Sequence, residues 1–566
     1  MNHLFSMIPR AQIQRSTFDT SFTHKTTFNA GRLIPVYLEE ILPGDTVNCR
    51  VNALCRLISP LQVPVMDNVY LDFHFFFVPN RLVWEHWEEF NGQNSTTKGI
   101  QTADFTIPNY VYDASLVRDS SLHGYFGLPY KNPGTADGAL IFANPLPFRA
   151  VWLIWNEWFR DENLQDPVPV YLGDTGKIWE DDDEVVNGLT SSSLPYRNKR
   201  HDYLTSSLPW PQKGPGVELP LGGTAPVVGN GFTLGLRAIG NDTSDALNWG
   251  SLQYNATSGS SGFLGVSQYE AGGSVPTPIE EGEAGVFLNK SQRLGVSTDP
   301  VNSGLVADLS TATAATINSL RQAFQLQRLY ERDARGGTRY TEILRAHFGV
   351  VSPDARLQRP EYLGGFSQPM MINPVVQQSS TDSTSPQGHL SAFGVAGTSR
   401  RGFVKSFVEH GFVIGFASIR ADLSYQQGLN RLWSRKTRFD YYWPALAHLG
   451  EQAVLNKEIF ATGDNEADNA VFGYQERYAE YRYHPGIVTG KFNSNANGTM
   501  DVWHLAQKFG QRPVLNSDFI REQPPINRIS AVNIENTHAF ALDVYFKQKA
   551  TRAMPLYGVP GLVDHF

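Results

Sequence analysis

The residues best suited to chemistry lie between positions 424 and 444, where basic and aromatic side chains alternate more densely than elsewhere in the chain. The basic members are Arg431, Arg435, Lys436 and Arg438, and the rings among and after them are Trp433, Phe439, Tyr441, Tyr442 and Trp443. Cations hold the phosphates of single-stranded nucleic acid while rings stack on its bases. Arginine and aromatic residues packed at a protein interface have the same composition. The segment therefore predicts a DNA contact, a subunit interface or both.

Four tryptophans form a second set of contact candidates: Trp84, Trp87, Trp152 and Trp155. The first two fall at helical spacing with Val83 and Phe90, after an Asn80 that can cap a helix. The second two recur at helical spacing with Phe148 and Phe159, after a Pro147 suited to a first helical turn. Each apolar stripe needs a covering surface. We expect these side chains to pack in the core or at a subunit interface.

Signatures of catalysis are poor. The chain holds no HExxH and no GxSxG, and GIVTGKF (486–492) has Phe492 where a phosphate-binding loop needs Ser or Thr. The acidic run 180–184 could gather a hard cation, but so dense a run is more often a solvated loop. Two cysteines exclude a cysteine-rich metal centre. We assign no catalytic, cofactor-binding or metal-binding residues and expect no enzyme.

Composition limits the partners. The 47 basic and 55 acidic residues leave a net charge of −8, whereas a protein that coats nucleic acid by itself should be cationic. Cys49 and Cys55 would lie roughly 20 Å apart on one strand, at about 3.3 Å per residue, so they cannot pair there. This cysteine usage predicts a reducing cytoplasm as the place of synthesis. We expect neither a signal peptide nor a membrane span.

The elements that must position these residues begin with two long strands. Odd positions from Val47 to Leu57 are apolar, and a second apolar row runs from Val69 to Phe77. Helices are predicted near 316–335 and 341–348. Late strands are predicted over 403–419, around the turn 495–498, over 526–534 and over 540–546. Early and late strands that pair across long insertions are typical of a sandwich such as a jelly roll.

Two regions depart from this pattern. Residues 1–28 are polar, rich in threonine and without periodicity, which predicts an N-terminal arm that orders only against neighbours. Residues 215–312 hold TSGSSG and AGGS with few basic residues. Such a segment is typical of a variable surface insertion, with or without a receptor role. The remaining chain, 29–566, is then one domain that carries this insertion.

Several motifs resemble a known family. PVMDNVYLDFHFFFVPNRLVWEHWEEFNG (64–92), LPFRAVWLIWNEWFRDENLQDP (146–167), YQQGLNRLWSRKTR (425–438) and the terminal PLYGVPGLVDHF (555–566) are similar to the major capsid protein of microviruses, with gokushoviruses as the nearest branch. The resemblance runs from about residue 29 to residue 566 except for the insertion. It implies a mainly β fold, an eight-stranded antiparallel jelly roll with long inserted loops and several helices.

The resemblance also implies partners. The family builds a T=1 icosahedral shell from copies of itself around a circular single-stranded DNA genome, assembled in the bacterial cytoplasm and kept in the virion. It uses a small basic DNA-packaging protein, an internal scaffolding protein, a spike or pilot protein and a host cell-surface receptor, and its variable insertion forms a three-fold protrusion. The alternative, from the residues alone, is a β-sandwich glycan-binding module or hydrolase.

Overall fold

The computed structural model describes residues 13–93, 105–113, 120–129, 140–217, 317–379, 381–383, 386–422, 424–534 and 537–557, together with six short strands between 227 and 307. The chain divides into two compact units. One comprises Met1–Gly214 with Tyr330–Phe566, and the other is Pro215–Leu329.

The strands in chain order are β1 (Ser16–Asp19), β2 (Phe22–Phe28), β3 (Ile34–Ile41), β4 (Thr46–Leu57), β5 (Val69–Pro79), β6 (Tyr110–Asp113), β7 (Leu140–Ala143), β8 (Val227–Gly229), β9 (Leu236–Gly240), β10 (Gly265–Tyr269), β11 (Gly285–Asn289), β12 (Gln292–Val296), β13 (Leu305–Ala307), β14 (Glu361–Pro369), β15 (Met371–Val376), β16 (Leu390–Ser406), β17 (Gly411–Ala421), β18 (Glu451–Leu455), β19 (Val471–Glu476) and β20 (Phe540–Arg552). The helices are α1 (Trp87–Phe90), α2 (Leu122–Tyr125), α3 (Leu146–Ile154), α4 (Ile317–Gly336), α5 (Tyr340–Ile343), α6 (Asn465–Asn469), α7 (Ser517–Ile520) and α8 (Ile526–Ile529).

Two antiparallel sheets form the first unit's core. The six-stranded sheet has the order β1-β20-β4-β16-β15, with β2 also paired to β20, and the four-stranded sheet has the order β14-β5-β17-β3. Aromatic side chains join the sheets: the ring of Tyr37 on β3 lies 5.8 Å from Phe403 on β16 and 5.1 Å from Phe546 on β20. The prediction of a mainly β fold of antiparallel sheets with some helices is confirmed.

Local periodicity accounts for the strands that the sequence predicts well. The positions Val47, Cys49, Val51, Ala53 and Cys55 of β4 are buried, and those between them are exposed or half-buried. On β20 the same alternation buries the apolar set Phe540, Leu542, Val544 and Phe546. The predicted helix at 341–348 exists as α5 continued by a π-helical turn, Leu344–Phe348, and ends at Gly349 with φ of 69°. That left-handed conformation is one glycine adopts readily.

In the described parts of the second unit, Pro215–Leu329, six strands form three pairs. Strands β8 and β13 pair antiparallel, as do β9 and β12, while β10 and β11 pair in parallel. The first part of α4 also belongs to this unit. Most of the predicted insertion, 215–312, lies outside the described residues.

The structure corrects the prediction for the N-terminal arm. Residues 1–12 lie outside the described part, but β1 and β2 pair antiparallel with β20 of the same chain, Phe22 opposite Phe546 and Phe28 opposite Phe540. Phe22, His24, Thr26 and Phe28 turn inward while Thr23, Lys25 and Thr27 face outward. The prediction that this arm orders only against neighbours is therefore wrong from Ser16 onward. Because these strands are polar and rich in threonine, their two-residue alternation does not appear as an apolar pattern in the sequence.

The prediction of one helix after Asn80 is also wrong. The chain makes a short 3-10 turn, Asn80–Leu82, and then the four-residue α1. Asn80 does not cap a helix with its side chain; its backbone carbonyl accepts hydrogen bonds from the amides of Val83 and Trp84 at 3.0 and 3.1 Å. The turn closes on this carbonyl, and no continuous helical ladder forms.

Two further strand predictions are wrong, and a third is right over 403–406 and 411–419 but not as one continuous strand. The segment 403–419 is two strands, because β16 ends at Ser406 and the chain crosses to the other sheet before β17 begins at Gly411. Residues 526–534 begin with α8, whose Ile526 and Ile529 are buried at helical spacing after two prolines. The turn 495–498 lies between two 3-10 turns, Gly490–Phe492 and Asp501–Trp503.

Candidate functional site

The basic-aromatic segment is irregular rather than helical or extended. It consists of three 3-10 turns, Arg431–Ser434, Arg438–Asp440 and Pro444–Leu446. The side chain of Asn430 accepts a hydrogen bond from the Leu432 amide at 2.9 Å, and the Asp440 carboxylate accepts from the amides of Lys436 and Thr437 at 2.8 and 2.7 Å. These local side-chain hydrogen bonds to the backbone hold the successive turns in place of a regular helix or strand.

Arg431 is held inside the chain. Its Nη1 lies 2.9 Å from Oε1 of Glu458, a side chain that is only 4% exposed, and donates to the Ala453 carbonyl oxygen at 2.8 Å. The hydroxyl of Tyr203 donates to the other Glu458 oxygen at 2.9 Å. Burial raises the pKa of Glu458, while the charge of Arg431 acts in the opposite direction. The guanidinium therefore compensates a buried carboxylate.

Arg435 is also paired with a carboxylate of the same chain. Its Nη2 lies 3.7 Å from Oε1 of Glu480, whose side chain is largely buried. Its guanidinium also stacks 4.3 Å from the ring centroid of Tyr481. Two of the four predicted cations thus have carboxylate partners within the chain. Sequence reasoning missed Glu458 and Glu480 because they lie 27 residues from Arg431 and 45 from Arg435 and carry no local pattern.

The aromatic members face outward. Trp433 is 73% exposed. We call the following exposed apolar side chains the aromatic surface: Leu429, Leu432, Trp433, Phe439, Tyr441, Tyr442, Trp443 and Leu449. Lys436 and Arg438 are exposed beside it, and Arg438 lies over the ring of Phe439 at 4.9 Å. A patch of this kind on a folded chain marks an interaction site.

The four tryptophans have a different environment. Trp84, Trp152 and Trp155 are buried within the first unit, and each indole nitrogen donates a hydrogen bond, to Asp174 Oδ1 at 2.8 Å, the Ser191 carbonyl at 3.0 Å and the Tyr196 carbonyl at 2.9 Å. Trp87 is partly buried and packs with its ring 6.2 Å from that of Trp84. In this structure the four side chains pack within the chain.

The first unit also contains a cavity of about 900 Å³, lined in part by Glu162 and Glu342. Both carboxylates are ion-paired with Arg339, at 3.0 and 3.4 Å. Within the acidic run 180–184, Asp182 accepts from the amide of Trp179 at 2.9 Å and Asp181 accepts from the amide of Asp183 at 3.1 Å, while the run itself is mostly exposed. In the ranges that the structure describes, no group of three or more His, Cys, Asp or Glu side chains could ligate a metal ion. No helix among those ranges is long and apolar enough to cross a bilayer.

The comparisons with known proteins agree with one another. A family model described as capsid protein (F protein) matches residues 6–562. The chain is 44% identical over 566 residues to capsid protein VP1 of Bdellovibrio phage phiMH2K, covering 100% of this chain and 98% of that protein. It is 43% identical to capsid protein VP1 of Chlamydia phage 1, covering 99% and 98%. It is 36% identical to capsid protein VP1 of Spiroplasma virus 4, covering 99% and 97%.

Proposed function

The chain belongs to the capsid protein (F protein) family, and we propose that its copies assemble into a T=1 icosahedral shell around the circular single-stranded DNA of a bacteriophage. As a member of this family, it is a structural component of the virion and not an enzyme. The alternative of a hydrolase is therefore excluded. The observation that carries the proposal is the match along residues 6–562, with 36% to 44% identity to phage capsid proteins.

The aromatic surface supplies the contact between copies in this proposal. It exposes Trp433 and seven other apolar side chains, while Arg431 and Arg435 are already paired with Glu458 and Glu480. A DNA site needs cations that are free to meet phosphates. A protein interface instead needs a desolvated centre rich in aromatic residues, and arginine is compatible with it. The balance favours a second copy of the chain over DNA at this surface.

The fold supports the finer architecture. Two facing antiparallel sheets carry long excursions, one of them between β5 and β14, as expected for a jelly roll with inserted loops. We place the protein in the gokushovirus branch. Residues 215–312 then form the three-fold protrusion and contribute to attachment to a host cell-surface receptor. Support comes from the separate compact unit Pro215–Leu329.

The remaining partners follow from charge and assembly. The net charge of −8 leaves the genome's phosphates to be neutralised largely by another component, which fits a small basic DNA-packaging protein. An internal scaffolding protein and a spike or pilot protein complete the proposed set, with assembly in the bacterial cytoplasm.

Sedimentation and electron microscopy test the whole proposal. The protein is produced with and without the phage's other genes, and nuclease-protected DNA is measured in the fast fraction. We expect small isometric particles that carry protected single-stranded DNA when the other genes are present. A small soluble species under both conditions would contradict the proposal.

A further inference from the structure

Three like charges stand in register across the six-stranded sheet. Arg50 on β4 lies directly opposite Lys547 on β20 and, on its other side, directly opposite Arg401 on β16. All three side chains are exposed. Among the described residues none of the three has an ion-pair partner within 4.0 Å. Like charges directly opposite on neighbouring strands destabilise a sheet. The chain has 55 acidic residues, yet none occupies this row.

The same face carries further cations. Lys549 lies two residues beyond Lys547 on β20, and Arg56 shares the outward face of β4; both are exposed. We call Arg50, Arg56, Arg401, Lys547 and Lys549 the basic sheet face. Two acidic residues border this face, and one of them, Asp19 on β1, lies directly opposite Lys549. Asp543 pairs with Lys25 at 3.6 Å. Hydrogen bonds from Ser21 lower the pKa of Asp19, with smaller help from Lys549 and Lys547.

Geometry and composition indicate the ligand. Neighbouring strands lie about 4.8 Å apart and alternate residues of a strand about 7 Å apart, so Arg50, Arg401, Lys547 and Lys549 form a grid at the scale of successive phosphates, while Arg56 lies about 20 Å further along β4. Tyr545, 41% exposed, stands on the same face next to Lys547 and offers a ring for a base. Lysine is depleted at protein interfaces, and although arginine is compatible with them, three like charges with no carboxylate in their row need an anionic partner. A central row of three cations therefore favours a polyanion over a protein partner.

From this register we propose that the basic sheet face binds the phosphates of the enclosed single-stranded DNA, with Tyr545 as a stacking ring. The inference rests on the proposed function and deepens it, because it assigns one face of the subunit to the genome. Strand pairing fixes the backbone positions from which these side chains extend, so their spacing is set before phosphates bind. The repulsion between Arg50, Arg401 and Lys547 is relieved when the phosphates bind.

The test is the triple variant Arg50→Gln, Arg401→Gln and Lys547→Gln, produced with the phage's other genes. Particles should form, and their protected DNA should be released at lower salt than in the wild type. Binding of a labelled oligothymidylate to unassembled subunits should show a salt dependence whose slope is smaller by about 2, at about 0.7 for each lost phosphate contact on a single strand. The matched control removes three cations elsewhere, Lys457, Arg482 and Lys491, each replaced by Gln, and should leave both measurements unchanged.

The results that would contradict this inference differ from those that would contradict the proposed function. Intact variant particles with unchanged DNA release and an unchanged salt slope would overturn the inference and leave the proposed function in place. Failure of the triple variant to assemble, while its control assembles, would show that the face binds a neighbouring subunit and would equally overturn it. Wild-type protein that forms no DNA-containing particle would instead contradict the proposed function. Misfolding is checked separately, because removal of the repulsion should raise the thermal midpoint of the triple variant at low salt.

Discussion

Arg431 and Glu458 form an ion pair of 2.9 Å in which the carboxylate side chain is 4% exposed and the guanidinium is 22% exposed. In the sequence Arg431 looks like a DNA contact, but in the structure this ion pair makes it part of the fold. Removal of one partner of a buried pair leaves an uncompensated charge, which costs more than the pair contributes. The cation at position 431 therefore has a structural consequence that its exposed neighbour Arg438 lacks.

Arg431→Gln should destabilise the subunit by about 3 kcal/mol, because Glu458 would stay buried without its counter-charge. Arg438→Gln is the matched control and should change stability by less than about 0.5 kcal/mol, as expected for an exposed site. Denaturant unfolding of the unassembled subunits measures both. Equal, small losses for the two variants would contradict the structural role of Arg431.

Trp84→Ala should cost on the order of 3 to 5 kcal/mol, since a fully buried ring is lost together with its hydrogen bond to Asp174. Trp84→Phe keeps most of the packing and should cost less. The yield of soluble subunit and its thermal midpoint measure the difference. A soluble alanine variant with wild-type stability would show that the ring contributes little to the core.

Local patterns account for the parts of the fold that the sequence predicts. The strands β4 and β20 carry their two-residue period in their own residues, and α5 ends at a glycine that the sequence displays. Partners distant in the chain were not predictable. Glu458 meets Arg431 only after the chain folds, and Arg50, Lys547 and Arg401 form a row only once strand register is known. The aromatic segment was found by composition, but composition alone did not separate its paired cations from its free ones.

Acid should weaken the subunit through two histidines, His123, which is buried, and His74, which is half-buried. Burial lowers the pKa of His74 to about 4, with help from Arg197, and burial lowers the pKa of His123 to about 4. The unfolded chain binds these protons near pH 6.5, so it holds more protons than the folded chain between pH 6.5 and pH 4. Stability therefore falls as pH drops through this window, by about 2 kcal/mol per histidine between pH 7 and pH 5.

His123→Phe tests this dependence at one position. The histidine ring packs 4.9 Å from Phe148 and bonds the Tyr110 hydroxyl at 3.0 Å, and phenylalanine keeps the packing without the titration. We expect a shallower loss of unfolding free energy between pH 7 and pH 5. The exposed His448→Gln serves as control and should keep the wild-type slope. Equal slopes in all three proteins would contradict the assignment.

Deletion of residues 222–307 tests the role of the insertion. Shells should still form, because these residues lie within the separate compact unit Pro215–Leu329. Adsorption of the particles to host cells should fall, since the proposed receptor contact is gone. Adsorption assays on intact variant particles measure this, and unchanged adsorption would remove the receptor role.

Assembly of Trp433 variants tests the central claim most directly. The ring is 73% exposed, so Trp433→Ser should leave the subunit folded, with a stability change of less than about 0.5 kcal/mol. Sedimentation velocity should then show shells for the wild-type protein and few or no shells for Trp433→Ser. Trp433→Phe restores an aromatic ring and should recover a substantial fraction of the shells. Normal shells from the serine variant would contradict the claim that this surface joins the copies.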